Sequence, residues 1–198
     1  MDKQRSLIII KPDGVQRGLI GRIITRFEQV GLKIIGLKFI WATEKQIIVH
    51  YPETDAWFKK VGERTLTNYA KNLPAGRQGV LDVFGTDDAI QIGRTVKKWL
   101  IKYFQESPVL IMALESYDCI EICRKLSGNT IPVLANPGTI RGDFSHDTID
   151  LANEQNRPLR NIIHASDTVE DGEKEIKVWF TDEELIDYQL AGEKFMFS

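Results

Sequence analysis

Apolar residues near the start of the chain are spaced in a way that predicts a strand, a helix and a second strand. Residues 7–10 are all apolar, which is typical of a buried central strand, and Pro-Asp-Gly at 12–14 ends it. The next apolar positions recur every three or four residues, as on one face of an amphipathic helix that Gly31 would end. They are Ile20, Ile23, Ile24, Phe27 and Val30. Residues 32–41 are rich in β-branched and aromatic side chains, so we expect a second strand there.

The middle of the chain has a weaker pattern. Thr43 followed by Gln46 is a capping-box pattern that predicts the start of a helix, and Pro52 would end it. Gly-Arg-Gln-Gly at 76–79 is expected to form a loop, followed by a short apolar run. Residues 95–104 can form a helix with one apolar face.

The pattern becomes clear again at residue 108. Residues 108–114 predict an apolar strand. Ser116 can cap a helix that Gly128 ends, with Cys119 and Cys123 on its buried side. Residues 129–161 are rich in Pro, Gly, Asn, Asp and Arg, which indicates an unusually long loop.

The last quarter of the chain predicts one more strand and two helices. Residues 161–163 form a short apolar strand that ends at His164. Ser166 and Asp167 can cap the following helix, with Asp167 and Glu170 as a possible capping box, and residues 182–190 predict a final short helix. Because strands and helices alternate, we expect one layer of helices on one sheet.

Composition and charge narrow the class of protein. The 26 basic and 28 acidic residues leave a net charge of −2, which argues against a dedicated nucleic-acid site. Two cysteines are too few for a disulfide framework or a four-ligand zinc site, and they favour a reducing, cytoplasmic setting. No apolar run approaches the length of a membrane span, so we expect a soluble protein.

Three segments carry the candidate chemistry: residues 11–14, residues 136–144 and residues 161–167. A neutral His164 would be a good nucleophile, and Glu175 could accept a hydrogen bond from one ring nitrogen and leave the other to attack. Lys11, Arg141, Arg124 and Thr130 could surround a phosphate group, because phosphoryl transfer depends mainly on positioning and charge neutralisation.

Each of these residues also has a simpler interpretation. His164 could be a strand-end histidine bonded to the backbone, and Lys11 could be a solvated strand end. Arg141 could pair with Asp143, and Arg124 could be a solvated cation at the end of a helix. These alternatives stay open at the level of the individual residues.

Taken together, the three segments resemble the motifs of nucleoside diphosphate kinases. The resemblance rests on residues 11–18 (Lys-Pro-Asp-Gly-Val-Gln-Arg-Gly), on 137–144, and on 161–167 with Glu170, Glu173, Lys174 and Glu175 after them. It covers residues 6–52 and 108–190. The fold that it implies is ferredoxin-like: a βαββαβ order in a four-stranded antiparallel sheet, of the α+β class, with helices on one face.

The resemblance implies a ping-pong kinase that forms a phosphohistidine at His164 and uses nucleoside di- and triphosphates. Lys11 would be both catalytic and substrate-binding, and Asn161 would contact ribose and phosphate with it. The implied phosphate ligands are Tyr51, Arg124, Thr130 and Arg141. Glu175, and Ser166 through it, would orient His164, and Trp57 is the candidate for stacking on the base. Mg²⁺ would bridge the nucleotide phosphates with few protein ligands, and the family forms hexamers or tetramers.

The chain departs from the family pattern in two insertions. We expect residues 1–198 to form a single domain in which 59–105 and 145–160 are inserted. The second insertion, which contains His146, could form an edge of the nucleotide cleft, a subunit contact or only a solvated loop. Two other functions compete with the kinase: a non-enzymatic nucleotide- or nucleic-acid-binding member of the fold, and a structural subunit whose site is a relic.

Overall fold

A computed structural model of the protein describes residues 2–72 and 76–196. Its centre is a four-stranded antiparallel sheet in the order β2-β3-β1-β4. The strands are β1 (Gln4–Ile10), β2 (Lys33–Ile40), β3 (Val109–Ser116) and β4 (Ile163–Ala165). Residues 7–10 are fully buried in the middle of this sheet, as their sequence predicts.

Two helices pack on one face of the sheet. Helix α2 (Ile20–Glu28) and helix α7 (Cys119–Ser127) bury their apolar stripes against the alternate side chains of β1 and β3. The core they form includes Ile8, Ile10, Met112, Leu114, Phe27 and both cysteines. With helix α2 between β1 and β2, and helix α7 between β3 and β4, the order βαββαβ of the ferredoxin-like fold is confirmed.

The chain divides into two units, and this sheet belongs to the first, which spans residues up to 41, 107–146 and from 161 onward. Short helices complete it: α1 (Pro12–Gln16), a 3₁₀ turn (Pro132–Leu134), α8 (Ile140–Phe144), α10 (Val169–Trp179), a second 3₁₀ turn (Asp182–Glu184) and α11 (Glu193–Met196). The segment expected to be one long loop therefore contains ordered helical turns.

Two predicted helix starts are wrong, and one predicted helix does not form. Helix α7 begins after Asp118, which lies in the left-handed region with φ of 47°, and not after Ser116, which is still strand. Helix α10 is capped by Thr168, whose hydroxyl accepts a hydrogen bond from the N–H of Asp171 at 3.0 Å. The final helix expected over 182–190 does not form, and only Asp182–Glu184 makes a turn. Lys38 of β2 donates to Glu184, and Lys33 of β2 donates to Asp187 and to the Tyr188 carbonyl. These bonds hold the segment against β2.

The second unit consists of residues 42–106 and 147–160 and is helical. Its helices are α3 (Glu44–His50), α4 (Asp55–Asn72), α5 (Gly76–Phe84), α6 (Ala89–Phe104) and α9 (Ile149–Glu154). The capping box at Thr43 and Gln46 is confirmed. The loop expected at 76–79 is wrong, because those residues begin α5, whose Val80 packs with Tyr69 and Ile92. Residues 73–75, inside the first predicted insertion, lie outside the described residues.

The second predicted insertion is ordered by an ion pair of its own. Arg157 donates to both carboxylate oxygens of Asp147, at 2.7 and 3.0 Å, and the N–H of Arg160 donates to the same side chain. Burial alone would raise the pKa of Asp147, but these hydrogen bonds hold it below its usual value. A solvated loop does not describe this segment. None of the described helices is both long and apolar enough to cross a membrane.

Helices α4 and α6 approach each other so closely that glycine is required at the contact. A Cβ atom on Gly93 would lie 2.2 Å from the carbonyl oxygen of Phe58, and one on Gly62 would lie 1.9 Å from that of Ala89. Since backbone atoms cannot move aside as a side-chain tip can, we expect Gly93→Ala to lower the free energy of unfolding by about 1–3 kcal/mol. Thermal unfolding followed by circular dichroism measures this change.

Gly21→Ala is the matched control for this prediction. Gly21 lies inside helix α2, and a Cβ there meets nothing within 4 Å. This change should raise stability by about 0.5–1 kcal/mol, because alanine loses less backbone entropy on folding. A Gly93→Ala protein that melts no lower than the Gly21→Ala protein would contradict the close contact.

Candidate active site

His164 lies in the middle of the short strand β4, directly opposite Ile9 of β1. Its side chain retains 18% of its exposure, so the ring is not a core residue. The strand begins at Ile163 and includes Ala165, whereas the sequence predicts a strand over 161–163 that ends at the histidine. The backbone pairing with β1 thus fixes the histidine itself within the sheet.

A chain of hydrogen bonds orients the imidazole ring. Nε2 of His164 lies 2.9 Å from Oε2 of Glu175, and the hydroxyl of Ser166 donates to the same oxygen at 2.7 Å. The backbone N–H of Leu7 donates to the Ser166 hydroxyl at 3.0 Å. An ionised carboxylate can only accept, so Nε2 is the donor in this contact, and in the neutral tautomer that the contact favours the lone pair lies on Nδ1. Ser166 therefore supports Glu175, and does not cap helix α10.

Lys11 and Asn161 are held together at the end of β1. Lys11 is 7% exposed, and its ammonium group donates to Oδ1 of Asn161 at 2.7 Å. The amide nitrogen of Asn161 donates in turn to the carbonyl of Thr130 at 2.9 Å. This series sets the amide orientation of Asn161 and brings three predicted site residues into contact.

Arg141 is buried and bonds to the backbone. Its Nε, Nη1 and Nη2 atoms donate to the carbonyls of Asn161, Gly128 and Ile163 at 3.2, 2.6 and 2.8 Å. The loop around it is tightly turned, since a Cβ on Gly142 would lie 2.1 Å from the carbonyl oxygen of Asn136. The structure thus gives Arg141 a role in holding the loop, beside the phosphate contact that the resemblance implies.

Arg124 and Asp143 form ion pairs with other partners. Arg124, half-exposed near the end of α7, donates to the carboxylate of Asp167. Asp143 accepts a hydrogen bond from Arg26 at 2.7 Å and a second one from the N–H of Gly138. These two bonds, the first having the larger effect, hold the pKa of Asp143 below its usual value. Carboxylate oxygens and phosphate oxygens make the same kind of charge-assisted hydrogen bond to a guanidinium.

The structure brings eight of the ten predicted site residues together in the first unit: Lys11, Arg124, Thr130, Arg141, Asn161, His164, Ser166 and Glu175. Tyr51 and Trp57 belong to the second unit, where their ring centroids lie 5.9 Å apart. Buried Lys97 donates to the Tyr51 carbonyl at 2.5 Å and lies 5.9 Å from the centre of the Trp57 ring. Lys97 holds this aromatic pair.

Sequence reasoning missed three residues that build the site. Asp167 pairs with Arg124, and Asp13 accepts a hydrogen bond from the backbone of Ile162 at 3.2 Å. Ile162 itself has φ of 66°, a left-handed conformation. Asp13 and Asp167 lie within quoted motifs and could have been considered, but a β-branched residue carries no sequence signal for a left-handed conformation.

A histidine fixed by a carboxylate on a ferredoxin-like sheet, with lysine and arginine on the neighbouring loops, defines a phosphotransferase of the α+β class. Comparison with known proteins agrees with this class. The pattern of the family described as nucleoside diphosphate kinase matches residues 4–70 and 89–185. The chain therefore belongs to the nucleoside diphosphate kinase family.

Individual relatives support the same assignment. The nucleoside diphosphate kinase of Pyrobaculum aerophilum is 42% identical over 187 residues, which is 94% of this chain and 100% of that protein. A crystal structure of the enzyme from that organism superposes with a TM-score of 0.87 at 40% identity, covering 94% of this chain and 100% of that chain. A Borrelia burgdorferi structure, described as a transition-state mimic with bound vanadate and ADP, has a TM-score of 0.74 at 36% identity and covers 96% and 95% of the two chains.

The two arginines of the site should differ sharply in their effect on stability. Arg141→Lys removes the planar group that bonds three buried or partly buried backbone carbonyls, so we expect it to lower the free energy of unfolding by about 2 kcal/mol or more. Arg124→Lys changes one exposed ion pair and should cost less than about 1 kcal/mol. Urea unfolding of both variants measures the difference, and equal losses would contradict the backbone role of Arg141.

Proposed function

We propose that the phosphotransfer proceeds through a phosphohistidine at Nδ1 of His164. The observation that carries this proposal is the hydrogen bond between Nε2 and Glu175, which leaves the nucleophilic lone pair on Nδ1. Nδ1 attacks the γ-phosphorus of a nucleoside triphosphate, the bond from that phosphorus to the β-γ bridging oxygen breaks, and the nucleoside diphosphate leaves. A second diphosphate then attacks the phosphohistidine and restores the neutral ring.

Lys11 and Arg124 are proposed to neutralise the phosphates during the transfer. The ammonium group of Lys11 is already fixed by Asn161, so little entropy is lost when a phosphate binds. Arg124 has to exchange the carboxylate of Asp167 for phosphate oxygens. Asn161 would contact the ribose and phosphate, and Thr130 and Arg141 would complete the phosphate site from the loop that Arg141 holds.

The remaining binding roles are proposed for Tyr51 and Trp57. Tyr51 would contact the phosphates, and Trp57 would stack on the base. The Tyr51 ring also packs edge-on against Phe104 at 5.8 Å, so its position is restricted before any ligand arrives. Related structures described as containing ADP and CDP support nucleoside di- and triphosphates as the substrates.

Mg²⁺ fits this site as an ion carried by the nucleotide. The carboxylates of the site are already engaged, Glu175 with His164 and Ser166, and Asp167 with Arg124. This donor set offers cations and amides to the phosphates, and leaves the ion to phosphate oxygens and water. Mg²⁺ would neutralise phosphate charge and orient the transferred group.

A homo-oligomer, a hexamer or a tetramer, is proposed on the basis of an apolar strip on β2. Leu37 and Phe39 lie at alternate positions of this edge strand and Trp41 directly follows it; the three are 49%, 55% and 63% exposed. Alternate strand positions point to the same side, so Leu37 and Phe39 form one patch, and Trp41 continues it along the chain. Large exposed apolar side chains in one patch are typical of an interface.

We also propose that the whole chain is one domain with insertions at 59–105 and 145–160. The family pattern leaves residues 71–88 unmatched, which supports an insertion there. The proposed setting is the cytoplasm, without a dedicated nucleic-acid site, in line with the near-zero net charge. The second insertion is proposed as an edge of the nucleotide cleft.

Labelling with γ-³²P-ATP and Mg²⁺ tests the phosphohistidine. The wild-type protein should acquire acid-labile label, and His164→Ala should acquire none while keeping its circular dichroism spectrum, because the ring is partly exposed. Excess EDTA should prevent labelling. His146→Ala is the matched control, since His146 is an exposed histidine, and it should label normally. Label that persists in His164→Ala would overturn the mechanism, and a His164→Ala protein that fails to fold would contradict the partial exposure of the ring.

Charge on the β2 strip should weaken assembly. We expect the wild-type protein to sediment as a tetramer or hexamer and Phe39→Glu to sediment as a smaller species, because a buried carboxylate is costly at an interface. Val49→Glu, at another exposed apolar position, serves as the control and should leave the mass unchanged. Analytical ultracentrifugation distinguishes these outcomes, and an unchanged mass for Phe39→Glu would remove the strip from the interface.

A further inference from the structure

Ile162 has a backbone conformation that its side chain disfavours. Its φ of 66° lies in the left-handed region, and the residue is fully buried. A β-branched side chain in this region is a genuine outlier, because Cβ crowds the following carbonyl oxygen. Such a conformation persists only where the surroundings impose it, so the contacts of Ile162 identify what does so.

Three residues after β1 surround Ile162, and we call Lys11, Asp13 and Gly14 the Ile162 mould. The backbone N–H of Lys11 donates to the carbonyl of Ile162 at 2.7 Å. The N–H of Ile162 donates to Oδ2 of Asp13, a carboxylate that is 5% exposed, at 3.2 Å. Both polar backbone atoms of Ile162 are therefore bonded to the mould.

Gly14 completes the mould by leaving space. A Cβ atom there would lie 3.1 Å from Cγ2 of Ile162 and 2.9 Å from Cγ2 of Ile10. The first distance is tighter than ordinary contact, and neither neighbour is at the end of a long flexible side chain. Because Gly14 has no side chain, Ile162 can pack against helix α1.

The conformation of Ile162 is important for β4 because this strand forms few backbone pairs. Only Ile163, His164 and Ala165 pair with β1, opposite Ile10, Ile9 and Ile8. A slip of one residue would turn His164 to the opposite face of the sheet. The left-handed turn at Ile162 comes directly before this strand, so it sets where the pairing begins.

We propose that Asp13 and Gly14 are positioning residues, which hold Ile162 in its left-handed conformation and so fix the register of β4 and the direction of His164. The proposal rests on the phosphohistidine mechanism above. It gives the Lys-Pro-Asp-Gly motif a second role, separate from the bond between the Lys11 side chain and Asn161. Strand β1 pairs with β3 over seven positions, so loss of the mould should disturb β4 and not the whole sheet.

The test separates positioning from binding. Asp13→Ala leaves the N–H of Ile162 without its acceptor, and we expect the rate of His164 phosphorylation at saturating Mg-ATP to fall about tenfold or more. The dissociation constant for ADP, measured by calorimetry, should change by less than about threefold, because the nucleotide ligands stay in place. Asp13→Asn keeps an oxygen acceptor and should restore a nearly wild-type rate.

A double variant tests the backbone strain directly. Glycine adopts a left-handed φ without penalty, so Asp13→Ala with Ile162→Gly should phosphorylate faster than Asp13→Ala alone. Gly14→Ala pushes Ile162 from the other side and should reproduce the slow phosphorylation, with Gly21→Ala as a control that keeps the wild-type rate. If Asp13→Ala does not fold, the phosphorylation rates of Asp13→Asn and Gly14→Ala are compared with each other instead.

Several results would overturn the proposal. These are a folded Asp13→Ala or Gly14→Ala protein that phosphorylates at the wild-type rate, a double variant no faster than the single one, or a loss confined to ADP affinity. Failure of the mechanism itself is recognised separately, since wild-type protein would then acquire no label at His164. If the wild-type protein labels normally and Asp13→Ala is equally active, only the role proposed for the mould is rejected.

Discussion

The antiparallel pairing between β1 and β4 is the constraint on which the site depends. β1 is buried from Ser6 to Ile10, and it leads directly into the Ile162 mould, which begins at Lys11. β4 is only three residues long, yet it carries His164 and leads to Ser166. Because Leu7 also donates to the Ser166 hydroxyl, one strand supports the histidine, its carboxylate partner and the lysine at the same time.

Backbone carbonyl oxygens hold Arg141 directly and Lys11 through Asn161. Arg141 bonds three of them, and the amide of Asn161, which fixes Lys11, is itself held by the carbonyl of Thr130. Carbonyl oxygens carry no formal charge, so these three bonds do not themselves balance the positive charge of the guanidinium. The net charge of −2 is therefore compatible with local positive charge at Lys11 and Arg141.

The second unit uses a buried charge in a similar way. Lys97 is 2% exposed on the apolar face of α6, where a hydrophobic residue would be the simpler choice. Its bond to the Tyr51 carbonyl and its ion pair with Glu53 at 3.4 Å offset the cost of burial. The second unit therefore has an ordered core and a defined aromatic pair.

The sequence by itself determined three of the four strands and the approximate place of β4, the two helices packed on the sheet, the capping box at Thr43 and the family. Periodic apolar residues and three contiguous motifs are local signals. It missed α5, the true caps of α7 and α10 and the irregular path of 185–190. The path of 185–190 depends on bonds to β2, which is far away in the chain. The cap of α10 is a local bond from Asp171 to Thr168, and the sequence missed it because Ser166 and Asp167 are equally good caps nearby. Only the tertiary structure decided that Asp143 pairs with Arg26, that Asp167 holds Arg124 and that Ile162 is left-handed. Long-range hydrogen bonds impose these features, and for Ile162 they act against the preference of the residue itself.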